Sequence, residues 1–324
     1  MKRLSIEYML LCCNKNIFLA AGVFCFFLNG CATTDPFANL EEWKAIQSKH
    51  FIVYTNAKET VATDIVKEFE AFRTTALKIT TVPPFEEPDP VRIYLFKDKK
   101  SFEPFKPSEN TGGYFISGKN YIALYAIPFE ENPQFPIVYH EFIHYLISKH
   151  PAKIPRWYDE GLATLFETFT VEDGVVTFGK AQYHRWLFLK RHASWIPMDE
   201  FLSDQVNYQH NKGFTHAHSQ AWALMHYFLY AGHDTMEKLG RYIYLLNNDQ
   251  EYDIALQAAF GLTPEELLHE VKNYIASKNL PYSRLRIDTI AIDDHHHIRS
   301  LKADEAHAVI QKLKALVDTF RDAQ

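Results

Sequence analysis

Two histidines and a glutamate stand at a spacing that suits metal chemistry. The run HEFIH at residues 140–144 places His140 and His144 four residues apart, with Glu141 between them. On an α-helix these histidines lie one turn apart on the same face, so both imidazoles can reach one metal ion. Glu141 would point toward the open coordination position, where a carboxylate can take a proton from water. The motif is only suggestive until its surroundings are considered.

A catalytic zinc usually has three protein ligands and one open position, so a third ligand is expected nearby. Glu160, in the segment WYDEGLA at residues 157–163, follows at a suitable distance. Pro151 and Pro155 lie between it and His144 and would reverse the chain, which brings two helices together.

Two small residues follow this glutamate. Gly161 lies inside the expected helix, where glycine costs about 1 kcal/mol relative to alanine. Together with Ala163 it would let helices approach closely, so its presence indicates a packing or functional reason.

The pattern His-Glu-x-x-His followed by Trp-x-x-Glu-Gly-x-Ala resembles the gluzincin metallopeptidases, specifically their peptidase-MA-like branch. The similarity covers about residues 43–275. It includes the stretch from Trp43 to Tyr54, a hairpin at residues 112–125 and a later helix around residues 219–224.

This resemblance implies a role for each residue of the motif. His140, His144 and Glu160 match the ligands of one zinc ion, and Glu141 matches the catalytic base. The outer strand of the hairpin matches the edge along which a peptide substrate lies. An extended peptide can add to an open sheet edge through main-chain hydrogen bonds.

Gluzincins usually also carry a tyrosine or histidine that donates a hydrogen bond to the tetrahedral oxyanion. In this branch a tyrosine is expected a few residues before Trp222, and this sequence has His218 there. His218, Trp222, Met225 and Leu229 share a helix face, so the imidazole should point inward. His218 is thus a candidate catalytic oxyanion donor. The alternatives are a core histidine bonded to backbone and a group that contacts the metal ligands.

Two other polar residues flank the expected third ligand. Thr164, one turn after Glu160, could orient a ligand imidazole through its hydroxyl, or only pack and bond within its own helix. Asp159 lies on a different face and is interpreted as a solvent or loop contact.

Other histidines and aromatics offer weaker candidates. Residues 295–297 are all histidine and follow Asp293 and Asp294, but adjacent residues converge poorly on one ion, which favours a solvated acidic loop. Tyr114 and Tyr121 in the hairpin could line a substrate cleft or simply cover the sheet. The scattered histidines are interpreted as structural or exposed: His184, His192, His210, His216 and His226.

The N-terminus has the layout of an export signal. A positively charged flank precedes an apolar run at residues 17–28, which is short for a membrane span, and Leu-Asn-Gly-Cys at residues 28–31 resembles a bacterial lipobox. These features predict a lipoprotein signal peptide at 1–30, a lipid on Cys31 and a tether at 31–42. A plain signal peptide and an uncleaved anchor are the alternatives.

The cysteines fit the same interpretation. All four lie at or before Cys31, so no later cysteine can serve as nucleophile or metal ligand. The expected location is the bacterial cell envelope, facing the periplasm. By analogy with bacterial lipoproteins, Ala32 suggests outer-membrane sorting where such a membrane exists.

The surrounding elements predict an α+β fold, in which a small mixed β-sheet with an edge hairpin packs on a mostly helical, zincin-type catalytic region. The peptidase domain is placed at residues 43–280, with an α/β part at 43–127 and a helical part at 128–280. Residues 281–324 are assigned to a C-terminal loop and helix.

Individual elements follow from hydrophobic periodicity and turn residues. Strands are predicted at 50–55, 91–96, 112–116 and 121–125. Helices are predicted over about 65–76, 136–150, 155–169 and 215–230, from the capping box at 263, and over about 306–320. Residues 281–302 are interpreted as an irregular connection.

Length, composition and net charge limit the classes of function that the protein can have. The chain has 324 residues, 47% of them hydrophobic, which is enough for a large core. Its net charge of −6, with no long basic run, makes nucleic acid an unsuitable partner. The sequence therefore predicts a zinc-dependent peptidase acting on a peptide or protein substrate. The alternatives are a catalytically silent lipoprotein that binds peptides or envelope partners, and an envelope protein in which zinc is structural.

Overall fold

The described part of the chain covers most of the predicted domain. In the computed structural model, this part comprises residues 37, 40–80, 82–83, 85, 89–107, 113–116, 121–125, 135–191, 195–206, 211–277, 279–287 and 295–321. The predicted signal peptide, Cys31 and most of the tether therefore lie outside the described residues. Within them, no helix combines the length and apolarity that crossing a bilayer requires.

Two β-sheets are present among the described residues. Their strands are β1 (Lys44–Gln47), β2 (Phe51–Thr55), β3 (Val91–Phe96), β4 (Gly113–Ile116), β5 (Tyr121–Tyr125), β6 (Thr170–Glu172), β7 (Val175–Phe178), β8 (Ser283–Arg286) and β9 (His297–Ser300). The larger sheet has the order β4-β5-β3-β2-β1-β9. In it β2, β3 and β5 are parallel and the other pairs are antiparallel. The smaller sheet is antiparallel, in the order β6-β7-β8.

Helices account for most of the remaining described residues. They are α1 (Glu59–Thr80), α2 (Lys99–Phe102), α3 (Phe135–Ile147), α4 (Arg156–Phe166), α5 (Tyr183–Arg191), α6 (Met198–Leu202), α7 (Asn211–Tyr230), α8 (Thr235–Leu246), α9 (Tyr252–Phe260), α10 (Pro264–Ile275) and α11 (Ala303–Arg321). The predicted α+β class with a mixed sheet is confirmed. The predicted hairpin pairs as β4 and β5, and β4 is the edge strand.

The larger sheet is buried on both faces. Successive side chains of a strand point to opposite faces, and in β3 Ile93 and Leu95 belong to a core shared with α1, α3, α4 and α7. Tyr94 and Phe96 belong to a second core, which α11 covers. The sheet thus serves as a rigid support beneath the helices that carry the candidate site.

Local sequence explains where α10 begins. The backbone N–H of Glu266 donates to Thr263 Oγ1, and the Glu266 carboxylate accepts from the Thr263 N–H, which forms a reciprocal capping box. Pro264 occupies the first turn, where its missing N–H has no cost. The capping box predicted at residue 263 is confirmed.

The prediction of an irregular connection at 281–302 was wrong in two places. Residues 283–286 form β8, which pairs with β7, and residues 297–300 form β9, which pairs with β1. Both are edge strands whose side chains are exposed or only partly buried. Without a buried face they need no alternation of apolar residues, so hydrophobic periodicity could not reveal them.

Candidate metal centre

Helices α3 and α4 bring the three predicted ligands together. Glu160 Oε2, on α4, lies 3.5 Å from His140 Nε2 and 3.6 Å from His144 Nε2, both on α3. One donor atom of each residue lies within 4.8 Å of the other two. In the described part of the chain this is the only group of three or more His, Cys, Asp or Glu side chains arranged to hold an ion. The predicted set is therefore a possible metal-binding triad.

The chemistry of this group fits a zinc ion. His144 Nε2 is buried and forms no hydrogen bond with any described residue. Buried polar atoms are normally satisfied, and a cation at the centre of the group would satisfy this one. Two imidazole nitrogens and one carboxylate oxygen, with a fourth position left over, form the donor set of a catalytic zinc site.

A carboxylate contacts each imidazole of the triad at Nδ1, the ring nitrogen that does not face Glu160. Glu167 Oε1 lies 2.8 Å from His140 Nδ1, and Asp159 Oδ1 lies 2.8 Å from His144 Nδ1. Such contacts fix the ring so that Nε2 faces the centre of the triad. The interpretation of Asp159 as a solvent or loop contact was therefore wrong.

Glu167 was not predicted from the sequence. It lies two helical turns after Glu160, close to the same face, and this spacing is the signal that could have found it. The side-chain direction of Asp159 left no comparable signal in the sequence.

A buried polar network extends from Glu167 to α5. Arg185 Nη2 donates to both carboxylate oxygens of Glu167, at 3.0 Å each. Gln182 Nε2 donates to Glu167 Oε2 and to the Thr164 carbonyl, while Arg185 Nε donates to Gln182 Oε1. Because every member is paired, the network can hold a charged carboxylate behind His140 without leaving a polar group unsatisfied.

The electrostatics of the centre favour a cation. Burial alone would raise the pKa of Glu167, but Arg185 and His140 lower it to about 2. Burial would also lower the pKa of His144, yet the charge of Asp159 raises it to about 9. Burial has the same effect on His140, and hydrogen bonds with Glu160 and Glu167 raise its pKa well above the ordinary value. The carboxylates thus create a site in which positive charge is stabilised.

Glu141, like His144 of the triad, is partly exposed. It follows His140 on α3, and its side chain is only partly buried, whereas His140 and Glu160 are buried. A carboxylate beside the triad with access to solvent can reach a water molecule there.

His218 lies beside the triad, on α7. Its Nε2 is 2.9 Å from Glu160 Oε2, and its side chain is 1% exposed. The two atoms are at hydrogen-bonding distance. The inward orientation predicted for His218 is confirmed. His218 is not a member of the three-residue metal group.

The prediction that Thr164 orients a ligand imidazole is not confirmed. Thr164 is fully buried, and its hydroxyl forms no hydrogen bond with a described residue. Its backbone carbonyl contributes instead, by accepting from Gln182.

Gly161 brings α7 against α4. A Cβ atom at this position would lie 2.5 Å from the Ala221 carbonyl oxygen and 2.5 Å from Met225 Cγ. Only glycine therefore allows this approach, which places His218 next to Glu160. The predicted packing reason for the glycine is confirmed, with α7 as the partner helix.

The weaker candidates do not join the site. No metal group among the described residues includes residues 295–297. Tyr114 is buried and donates its hydroxyl to the Phe105 carbonyl at 2.9 Å, so it covers the sheet. The side chain of Tyr121 lies outside the described residues. His226 is a fully buried structural residue between the Tyr274 hydroxyl and the Gly179 carbonyl.

The fold and site define an α+β protein with a candidate metal centre of two histidines and one glutamate. Residues 136–244 match a sequence family described as a protein of unknown function, DUF1570. All of the residues just placed at the centre lie inside that span, and the description assigns no activity. No curated protein matches the chain.

Proposed function

We propose that this protein is a zinc-dependent peptidase. The observation that carries the proposal is the convergence of His140, His144 and Glu160, with the partly exposed Glu141 beside them. Structural zinc sites are normally closed by four protein ligands, so a three-ligand group beside a carboxylate favours catalysis.

Each residue has a distinct role in the proposed reaction. A zinc ion held by the triad would lower the pKa of a bound water toward about 7. Glu141 removes a proton from the attacking water and delivers it to the leaving amine. Glu167 fixes the orientation of the His140 imidazole and Asp159 that of the His144 imidazole, each through the Nδ1 atom of the ring.

The open edge of the larger sheet favours a peptide as the substrate. Strand β4 is the outermost strand on its side of the larger sheet, and β4 packs close to α3. An extended peptide can pair with such an edge, which would bring its backbone toward the triad. We propose a peptide or an unfolded protein segment as the substrate.

Replacing Glu141 tests the proposal. Glu141→Gln keeps the size of the side chain and removes the base, so turnover of a mixed peptide library should fall about 10²- to 10⁴-fold. Zinc content and melting temperature should stay at the parent values. Equal cleavage by parent and variant would contradict the mechanism.

A catalytically silent peptide-binding lipoprotein is the alternative function. Its expected result in the same assay is peptide bound by the parent without any product.

A further inference from the structure

His218 on α7 contacts Glu160, the third residue of the triad. The inference drawn from this contact rests on the proposed function. We propose that His218 is a positioning residue, which holds the metal-binding oxygen of Glu160 and does not donate to the substrate oxyanion. The proposal concerns one atom, Glu160 Oε2, and the groups that surround it.

Distances identify Oε2 as the metal-facing oxygen. It lies 3.5 Å and 3.6 Å from the Nε2 atoms of His140 and His144. The other oxygen, Oε1, faces away toward Arg156, whose Nε is 3.6 Å distant. His218 Nε2, at 2.9 Å, is the nearest of the three imidazole nitrogens to Oε2. Its contact is therefore with the ligand atom itself.

Burial separates His218 from the substrate. A donor to an oxyanion must be reached from the cleft when substrate enters, and the His218 side chain is 1% exposed. His218 also falls outside the group whose donor atoms lie within 4.8 Å of one another. It thus lies beside the metal-facing oxygen but outside the metal group, where it can orient Glu160 without binding the metal or the substrate.

Helix packing makes this contact a property of the fold. The backbone of α7 closes on α4 at Gly161, where a side chain would collide with the Ala221 carbonyl. His218 lies one turn before Ala221 on α7, and Glu160 precedes Gly161 on α4. The two helices therefore fix the imidazole against the carboxylate before any metal binds.

Zinc affinity measured by chelator competition tests the inference on the full chain. His218→Asn is too short for a donor at the Nε2 position, so zinc affinity should fall about 10- to 100-fold. His218→Gln places its amide nitrogen near that position and should recover most of the loss. His226→Asn is the matched control, because it removes another buried histidine of α7 and should keep the parent affinity.

The outcomes separate this inference from the proposed function. Parent affinity in His218→Asn, with or without a lower kcat, would overturn the positioning role. X-ray absorption of the zinc form that counts three imidazoles in the parent and two in His218→Asn would also overturn it, because His218 would then be a ligand. A parent that binds no zinc would overturn both proposals. A parent that binds zinc without cleaving peptides would overturn only the peptidase, and the affinity series would still decide the role of His218.

Discussion

The carboxylates behind the two ligand imidazoles differ in their surroundings. Glu167 is buried and fixed by Arg185, whereas Asp159 is only partly buried. His140 is therefore held by a rigid network, and His144 by a single contact closer to solvent. At the scale of single residues, α4 and its C-terminal cap supply three different functions within three turns. Glu160 is the candidate ligand, Asp159 and Glu167 orient the imidazoles, and Gly161 allows the close contact with α7.

Glu68 on α1 makes stability depend on pH. Burial raises the pKa of Glu68 to about 8, and the Tyr139 hydroxyl donates to its carboxyl group. In the unfolded chain the group ionises near its ordinary value of 4.5. Because the folded state retains the proton between these values, the stability should fall as the pH rises from about 4.5 to about 8.

Glu68→Gln should remove this decline, because the amide stays neutral and can still accept from Tyr139. The variant should gain on the order of 4 kcal/mol over the parent between pH 5 and pH 8, as an upper bound. Urea unfolding at both pH values measures the difference. Glu70→Gln is the control, since His50 and Ser48 outweigh burial and lower the pKa of Glu70. A Glu68→Gln variant that declines like the parent would disprove the assignment.

At the scale of elements, the meeting of α4 and α7 depends on one missing side chain. Gly161→Ala should cost about 1–3 kcal/mol of stability, because a backbone carbonyl must move to admit the methyl group. The displaced helix would also shift His218 relative to Glu160, so zinc affinity should fall as well. Denaturant unfolding and metal titration on the same preparation check both effects.

Gly240 provides the matched control for that substitution. It is an exposed residue of α8, and a Cβ added there would have no atom within 4 Å. Gly240→Ala should therefore stabilise the protein by about 0.5–1 kcal/mol and leave zinc affinity unchanged. Equal effects at both glycines would show that helix propensity, and not the contact with α7, determines the result.

The sequence predicted some, but not all, of the elements that bury an apolar face, since β7 and α8 were not predicted. Strand β3 was predicted at its observed bounds, because VRIYLF is a continuous run of strand-forming residues. The HExxH spacing located His140 and His144, since a helix has a known period, whereas Glu160 was predicted from the segment at 157–163 and its resemblance to a known motif. Asp159 and the edge strands β8 and β9 were missed because side-chain direction and edge pairing depend on the tertiary structure, whereas the helical spacing of Glu167 from Glu160 was a signal that went unused.

At the scale of the whole molecule, the lipid predicted on Cys31 would determine where the protein resides. Cys31→Ser should abolish lipid labelling and release the protein from the membrane fraction, because one acylated cysteine is the only predicted attachment. Cys25→Ser, inside the predicted signal peptide, is the control and should retain both labelling and membrane attachment. Labelled-fatty-acid incorporation and fractionation measure the two properties. A Cys31→Ser protein that stays labelled would contradict the lipobox interpretation.

The pairing of β9 with β1 has a consequence for the order of synthesis. The first strand of the larger sheet pairs with β2 at once, but it meets its second partner only after residues 297–300 have been made, and α11 follows them. Until then the face that carries Trp43, Tyr94 and Phe96 has no cover from α11. A sheet that formed before α11 was made would therefore leave these aromatic side chains uncovered on that side, a state in which exposed apolar surface favours aggregation.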